Sequence, residues 1–208
     1  SFGRVLVVAG SRNYVGAPYL ACAGAYRAGA GLVTLATPES VYRLVAGRLT
    51  EATYLPLAET ESGAIHPSAA EGVRTAVQDY EVLLVGCGLG QGDATREFLQ
   101  GLLLSEPPLT LPVVLDADGL NSLAGCYHWW EQLKAPAVLT PHPGEMARLT
   151  GMLAEAIQKD RVRVCRSAAS QWGQTVVLKG AFTVIAAPKG GARLSPFANP
   201  ALATAGTA

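Results

Sequence analysis

The stretch Val138-Leu139-Thr140-Pro141-His142-Pro143-Gly144-Glu145 carries the first sign of chemistry in this sequence. Ala137 to Leu139 is a short apolar run of strand type, and Pro141 cannot donate to any further strand pairing. Pro143 suits the first turn of a helix, where its missing N–H is not needed, and Glu145 suits the positive end of that helix. The helix is expected to run to Thr150 and to end at Gly151. The imidazole of His142 therefore stands between the C-terminal end of a strand and the N-terminus of a helix, the place where small ligands bind in an open α/β sheet. A plain strand–helix corner with an incidental histidine is the competing reading of the same residues.

Three further places could share that edge. The run Gly86-Cys87-Gly88-Leu89-Gly90-Gln91-Gly92 lets backbone N–H groups approach a phosphate or ribose with no side chain in the way. Its G-x-G-x-G-x-G spacing is not the dinucleotide fingerprint of a Rossmann unit, and no acidic residue ~20 positions on plays the part that motif needs. Asp116 ends a buried strand, where a carboxylate is costly unless paired or useful; helix capping, shared with Asp118, is the alternative. Lys179-Gly180 at another strand end suits an anionic ligand, or is a solvated lysine at a turn. Asn199 to Ala208 is small-residue turn chemistry of the kind that precedes a helix N-terminus built to hold an anion.

The elements that would position these groups alternate. Continuous apolar runs at Val5–Ala9, Leu32–Ala36, Glu81–Val85 and Pro112–Leu115 read as strands buried on both faces. Thr53–Leu57 is a shorter candidate. Helices are expected over Ala17–Ala28, from a Thr37 cap with Pro38 first to about Arg48, over Ala69–Gln78, from an Asp93 cap to about Leu104, near Gly119–Leu123, and as one long helix over Ala154–Gln171. After the strand Thr175–Leu178 the pattern changes to hairpins, Thr183–Ala187 and Arg193–Ser195, turning at Lys189-Gly190-Gly191. The expected architecture is an α/β sandwich: a mostly parallel sheet with helices on both faces and late antiparallel strands.

With 208 residues, 50% hydrophobic and 15% charged, the chain suits one α/β domain. Lys+Arg and Asp+Glu are 16 each, so no basic excess points to nucleic acid or a membrane surface. No apolar run reaches the ~20 residues of a membrane span, and Ser1-Phe2-Gly3-Arg4 leads straight into a strand with no signal-peptide pattern. Cys22, Cys87, Cys126 and Cys165 are scattered without a C-x-x-C pair, which makes a reducing cytoplasm the expected compartment and leaves no metal ligands to assign.

Taken together, the sequence resembles the NAD(P)H-hydrate dehydratases, which have a ribokinase-like fold. The resemblance rests on Val5 to Ser11, Gly16-Ala17, Arg27 to Val33, Gly86 to Gly90, Val114 to Asp118, Leu139 to Glu145 and Val177 to Gly180, in that order over nearly the whole chain. It implies a ribokinase-like three-layer sandwich and a repair lyase. The substrate would be NADH or NADPH that has added water to its nicotinamide ring. The ring hydroxyl would be phosphorylated from ADP or ATP, with Mg2+, and phosphate then expelled. Asp116 is the expected catalytic carboxylate. Ala17, Gly86, Gly88, Gly90 and His142 would bind the hydrated dinucleotide, and Lys179, Gly180, Ala181, Phe182, Thr183 and Gly206 the adenine nucleotide. Cys87 stands where the family commonly has proline. A homo-oligomer is expected. Ala205-Gly206-Thr207-Ala208 enters the family's Gly-Thr-Gly-Asp motif but has alanine for the second glycine and no aspartate. These residues are therefore expected to be a piece clipped at both ends, binding adenine nucleotide without turnover. A kinase on the same fold and a non-catalytic nucleotide-binding module are the alternatives.

Overall fold

The apolar runs lie side by side in one nine-stranded sheet of a computed structural model, which describes residues 3–199. In chain order, β1 (Arg4–Val8) is followed by α1 (Gly16–Arg27), β2 (Leu32–Pro38), α2 (Glu39–Val45) and β3 (Thr53–Leu57). Then come α3 (Ala69–Ala76), β4 (Val82–Val85), α4 (Asp93–Leu103), β5 (Val113–Leu115), α5 (Asp118–Ala124) and α6 (Trp129–Gln132). The chain continues through β6 (Ala137–Leu139), α7 (Pro143–Thr150), α8 (Ala154–Lys159), α9 (Arg161–Trp172), β7 (Thr175–Leu178), β8 (Val184–Ala186) and β9 (Ala192–Leu194). The spatial order is β3-β2-β1-β4-β5-β6-β7-β8-β9, parallel from β3 to β7 and antiparallel from β7 to β9. The few residues between β7 and β8 cannot span a parallel crossover, so a hairpin is forced.

Alternation along each strand sorts the side chains into two cores. Val7, Val33 and Leu35 meet Cys22 of α1 and Val41 and Val45 of α2 on one face. Leu6, Val8, Leu83, Val85, Leu115, Leu139 and Val176 meet Val73, Phe98, Leu120, Met146 and Cys165 of α3, α4, α5, α7 and α9 on the other. Helices therefore lie on both faces, giving three layers. The first face is covered unevenly. Val114, Val138 and Val177 there are half-buried and Ile185 is 43% exposed, whereas Val113, Leu115, Leu139, Val176 and Leu178 on the opposite face are buried.

Four local expectations need correction. Residues 154–171 form two helices: Asp160 (φ −147, ψ 63) ends α8, and its Oδ1 accepts the N–H of Arg163 as cap of α9. A short carboxylate that can bond the backbone locally competes with continuous helix at that point. Thr37 and Pro38 belong to β2, because β3 extends the ladder to a Pro38–Leu57 pair, and α2 starts at Glu39. Gly92, not Asp93, occupies the cap position of α4, with Asp93 as its first residue. The short α6 was not expected; it buries Trp129 against Trp172, with ring centroids 5.1 Å apart.

Candidate functional site

The order of strands reverses between β1 and β4, and the crevice outside that switch is filled by the glycine run. Gly86 has φ +128, and a Cβ there would stand 1.9 Å from the Asp116 carbonyl oxygen, so only glycine fits. A Cβ on Gly88 would meet the Ala17 Cβ at 2.7 Å and the Tyr14 Cβ at 2.8 Å, which brings the start of α1 directly against the loop. The loop is tied on both sides. Gly10 N–H donates to the Cys87 carbonyl (2.9 Å), Ser11 Oγ to the Gly88 carbonyl (2.9 Å), and Gly90 N–H to Asp118 Oδ2 (2.9 Å). A cavity of about 480 Å3 opens beside it, lined by Ser11, Asn13, Tyr14, Gly90, Gln91 and Thr95 among others. A larger one, about 800 Å3, lies between α9 and the β8–β9 hairpin and is lined by none of the expected site residues.

The next strands along the edge deliver the charged groups. Asp116 leaves β5, His142 follows β6 and Lys179 follows β7, on three adjacent parallel strands. Thr140 N–H donates to the Leu115 carbonyl (3.0 Å) and Lys179 N–H to the Pro141 carbonyl (2.8 Å), continuing the pairing past the strand ends. The Lys179 ammonium is ion-paired to Asp116 Oδ1 and lies 3.8 Å from Glu145 Oε2. Its side chain is 39% exposed and that of Asp116 30%, so the pair is worth more as placed charge than as stability. The Asp116 side chain does not cap α5, which has no side-chain cap; Asp118 instead holds the glycine loop.

His142 caps α7 in a reciprocal arrangement. Its Nδ1 accepts from Gly144 N–H (3.0 Å) and Glu145 N–H (3.4 Å), while Glu145 Oε2 accepts the His142 N–H (2.7 Å). With Nδ1 accepting, the proton of a neutral ring resides on Nε2, which lies 3.3 Å from Glu145 Oε1. Glu145 is only 4% exposed and so links the imidazole to the Lys179 ammonium from beneath. Burial, with Asp116 nearby, pushes the Cys87 thiol up to about 12, which leaves it protonated and unreactive near neutrality.

The turn from β7 to β8 is more open. Gly180 has φ +137 and Phe182 φ +56, and Phe182 is 48% exposed. Thr183 Oγ1 closes the turn by donating to the Gly180 carbonyl (3.0 Å), and Phe182 N–H donates to the Phe197 carbonyl (3.2 Å).

The fold thus brings Ala17, Gly86, Gly88, Gly90, Asp116, His142 and Lys179 to one edge, with Gly180, Ala181, Phe182 and Thr183 in the adjoining turn. Gly206 lies outside the described residues. From the sequence alone, Glu145 reads only as a helix-start residue and Asp118 only as a cap. Their contacts join elements distant in the chain, although E three places after H at a helix start was a readable signal of the cap.

An edge of this kind on a mostly parallel, three-layer sheet with a terminal antiparallel hairpin defines a ribokinase-like domain. A ribokinase-like superfamily protein from Enterococcus faecalis V583 superposes with a TM-score of 0.81 at 24% identity, over 99% of this chain and 68% of that one, which concerns the fold alone. The family model for NAD(P)H-hydrate dehydratase matches residues 5–208, and the chain belongs to that family. It is 43% identical to a bifunctional NAD(P)H-hydrate repair enzyme of Moorella thermoacetica, over 99% of this chain and 38% of that protein. It is 35% identical to the ADP-dependent (S)-NAD(P)H-hydrate dehydratase of Bacillus subtilis, over 100% of this chain and 68% of that one. The crystal structure of the Bacillus subtilis ADP/ATP-dependent NAD(P)H-hydrate dehydratase, co-crystallized with ATP/Mg2+ and soaked with CoA, superposes with a TM-score of 0.78 at 34% identity, over 99% of this chain and 70% of that one. The chain spans 38% or 39% of the length of the first curated relatives it matches.

Proposed function

We propose that the protein containing this chain dehydrates hydrated NADH and NADPH at the expense of ADP or ATP. What carries the reading is the Lys179 ammonium, paired to Asp116 and facing Glu145, which in turn holds His142. One cation thereby stands between a polar edge suited to a dinucleotide and a turn suited to a nucleotide. The relatives' named activities point the same way.

The hydroxyl of hydrated nicotinamide is a poor leaving group. Its oxygen attacks the terminal phosphoryl group of ADP or ATP, releasing AMP or ADP and giving up its proton. The C–O bond then breaks as the ring nitrogen supplies its electron pair, phosphate leaves, and loss of a proton from the neighbouring carbon restores the dihydro ring. Ala17, Gly86, Gly88, Gly90 and His142 hold the dinucleotide in this scheme. Gly180, Ala181, Phe182 and Thr183 hold the adenine nucleotide, and Lys179, fixed by Asp116, faces the phosphoryl oxygens. Among the described residues no group of three or more His, Cys, Asp or Glu is arranged to hold a metal. Mg2+ would be carried on the nucleotide phosphates, with Asp116, whose side chain is 30% exposed, as the carboxylate able to meet it. When bound there, the ion supplies charge neutralisation at the transferred group.

The test is incubation of the full-length protein with hydrated NADH, ADP or ATP, and Mg2+, followed at the absorbance of reduced nicotinamide. Restored absorbance with phosphate released in equal amount is expected, and none without nucleotide. Nucleotide consumption without restored absorbance would instead indicate a kinase that stops at the phosphate ester. No consumption at all would contradict both.

A further inference from the structure

The break at Asp160 has a consequence for the nucleotide turn, because it makes Arg161 the first residue of α9 and brings its side chain to the end of β7. Nη2 donates to the carbonyls of Leu178 (2.9 Å) and Lys179 (3.1 Å), and Nη1 donates to Gln158 Oε1 (2.7 Å). The guanidinium lies against Gly180 so closely that a Cβ there would stand 3.2 Å from Nη2 and 3.3 Å from Nη1. None of the ion pairs found among the described residues gives Arg161 a carboxylate partner, and its Nε is buried without a hydrogen bond.

We infer that Arg161 is a positioning residue for the adenine-nucleotide site: its fork sets the Leu178–Gly180 backbone, and its charge supports the turn that receives the phosphates. The inference rests on the assignment of Lys179–Thr183 to the nucleotide. A neutral amide could bond one of these carbonyls at a smaller cost of burial, whereas a half-buried cation without a carboxylate is unfavourable until an anion comes near. Burial also holds the guanidinium below its ordinary value, yet an arginine so placed stays charged at neutral pH. Phosphate oxygens over Gly180 would supply the missing counter-charge. The same fork fixes the carbonyl side of the Lys179 peptide, whose neighbouring N–H on that residue is bonded to Pro141, so the ammonium is held toward Asp116 and Glu145.

The experiment uses the full-length protein with Arg161→Lys and Arg161→Gln, and with Arg166→Ala, on the exposed face of the same helix, as control. ADP and ATP binding is measured by calorimetry, KM for nucleotide and for hydrated NADH by steady-state assay, and folding by thermal melting. Both Arg161 variants are expected to melt as folded proteins, to bind nucleotide about tenfold more weakly, and to keep KM for hydrated NADH within about twofold. Lysine keeps the charge but is shorter and has one nitrogen where arginine uses two, Nη2 on both carbonyls and Nη1 on Gln158 Oε1, so it should not rescue. Unchanged nucleotide affinity, an equal loss for both ligands, or full rescue by lysine would each overturn the inference while leaving the proposed function standing. Absence of nucleotide binding by the unsubstituted protein would remove the site assignment and the inference together.

Discussion

The two halves of the edge are held by different means. On the His142 side the key contacts are local: imidazole and carboxylate lie three residues apart and bond each other's backbone. On the Lys179 side the turn closes locally only through the exposed Thr183–Gly180 bond and is otherwise held from outside, by Arg161 on α9 and Phe197 beyond β9, and it presents Phe182 at 48% exposure. In the proposed site the first half would act as a fixed seat and the second as a turn that a ligand completes. If the site accepts two large ligands as proposed, one fixed partner and one adaptable one would help to bring them together.

The largest effect should come from crowding the glycine loop, which shares the proposed dinucleotide half with His142 and is tied to Gly10, Ser11 and Asp118. Gly86→Ala would drive a methyl group into the Asp116 carbonyl at a φ that alanine rarely adopts, and is expected to cost about 3–4 kcal/mol in a urea titration. A loss under about 1 kcal/mol would mean that this half is not rigid. A smaller contrast sharpens the comparison. Glu145→Ala removes a buried acceptor from the His142 N–H and should cost about 2 kcal/mol, whereas Thr183→Ala, which loses an exposed bond to Gly180, should cost about 0.5 kcal/mol. Equal costs would erase the distinction.

What could be read from sequence follows the same division. The Leu139-to-Glu145 stretch announces its own strand end, cap and helix, and α7 lies where those residues place it, ending at Gly151 with φ 70. The buried strands were equally plain, since continuous apolar runs in a parallel sheet need no partner to be recognised. The role of Glu145 was not, because its meeting with Lys179 depends on the order of β6 and β7 in the sheet. Arg161 was hidden by a helical pattern that runs through Asp160 with no glycine or proline to mark the break. Only the packing of α9 on β7 shows where that side chain goes.

A weaker, pH-dependent effect should appear at the glycine loop. Burial raises the Cys87 thiol in the folded protein from the ordinary 9.0 to about 12. Below the unfolded value the contribution is fully present; above it the unfolded chain releases a proton that the folded one keeps, so stability falls as pH rises toward 12. Cys87→Ala should flatten part of that alkaline decline in thermal melts, and an unaltered slope would show the thiol to be more exposed than the fold places it.

The division of the edge into a dinucleotide seat and a nucleotide turn is tested most directly by calorimetry on His142→Ala, titrated separately with hydrated NADH and with ATP. Loss of the imidazole should weaken hydrated NADH by about tenfold, the worth of one good polar contact, and leave ATP within about twofold. ATP weakened while hydrated NADH binds as before would contradict the account.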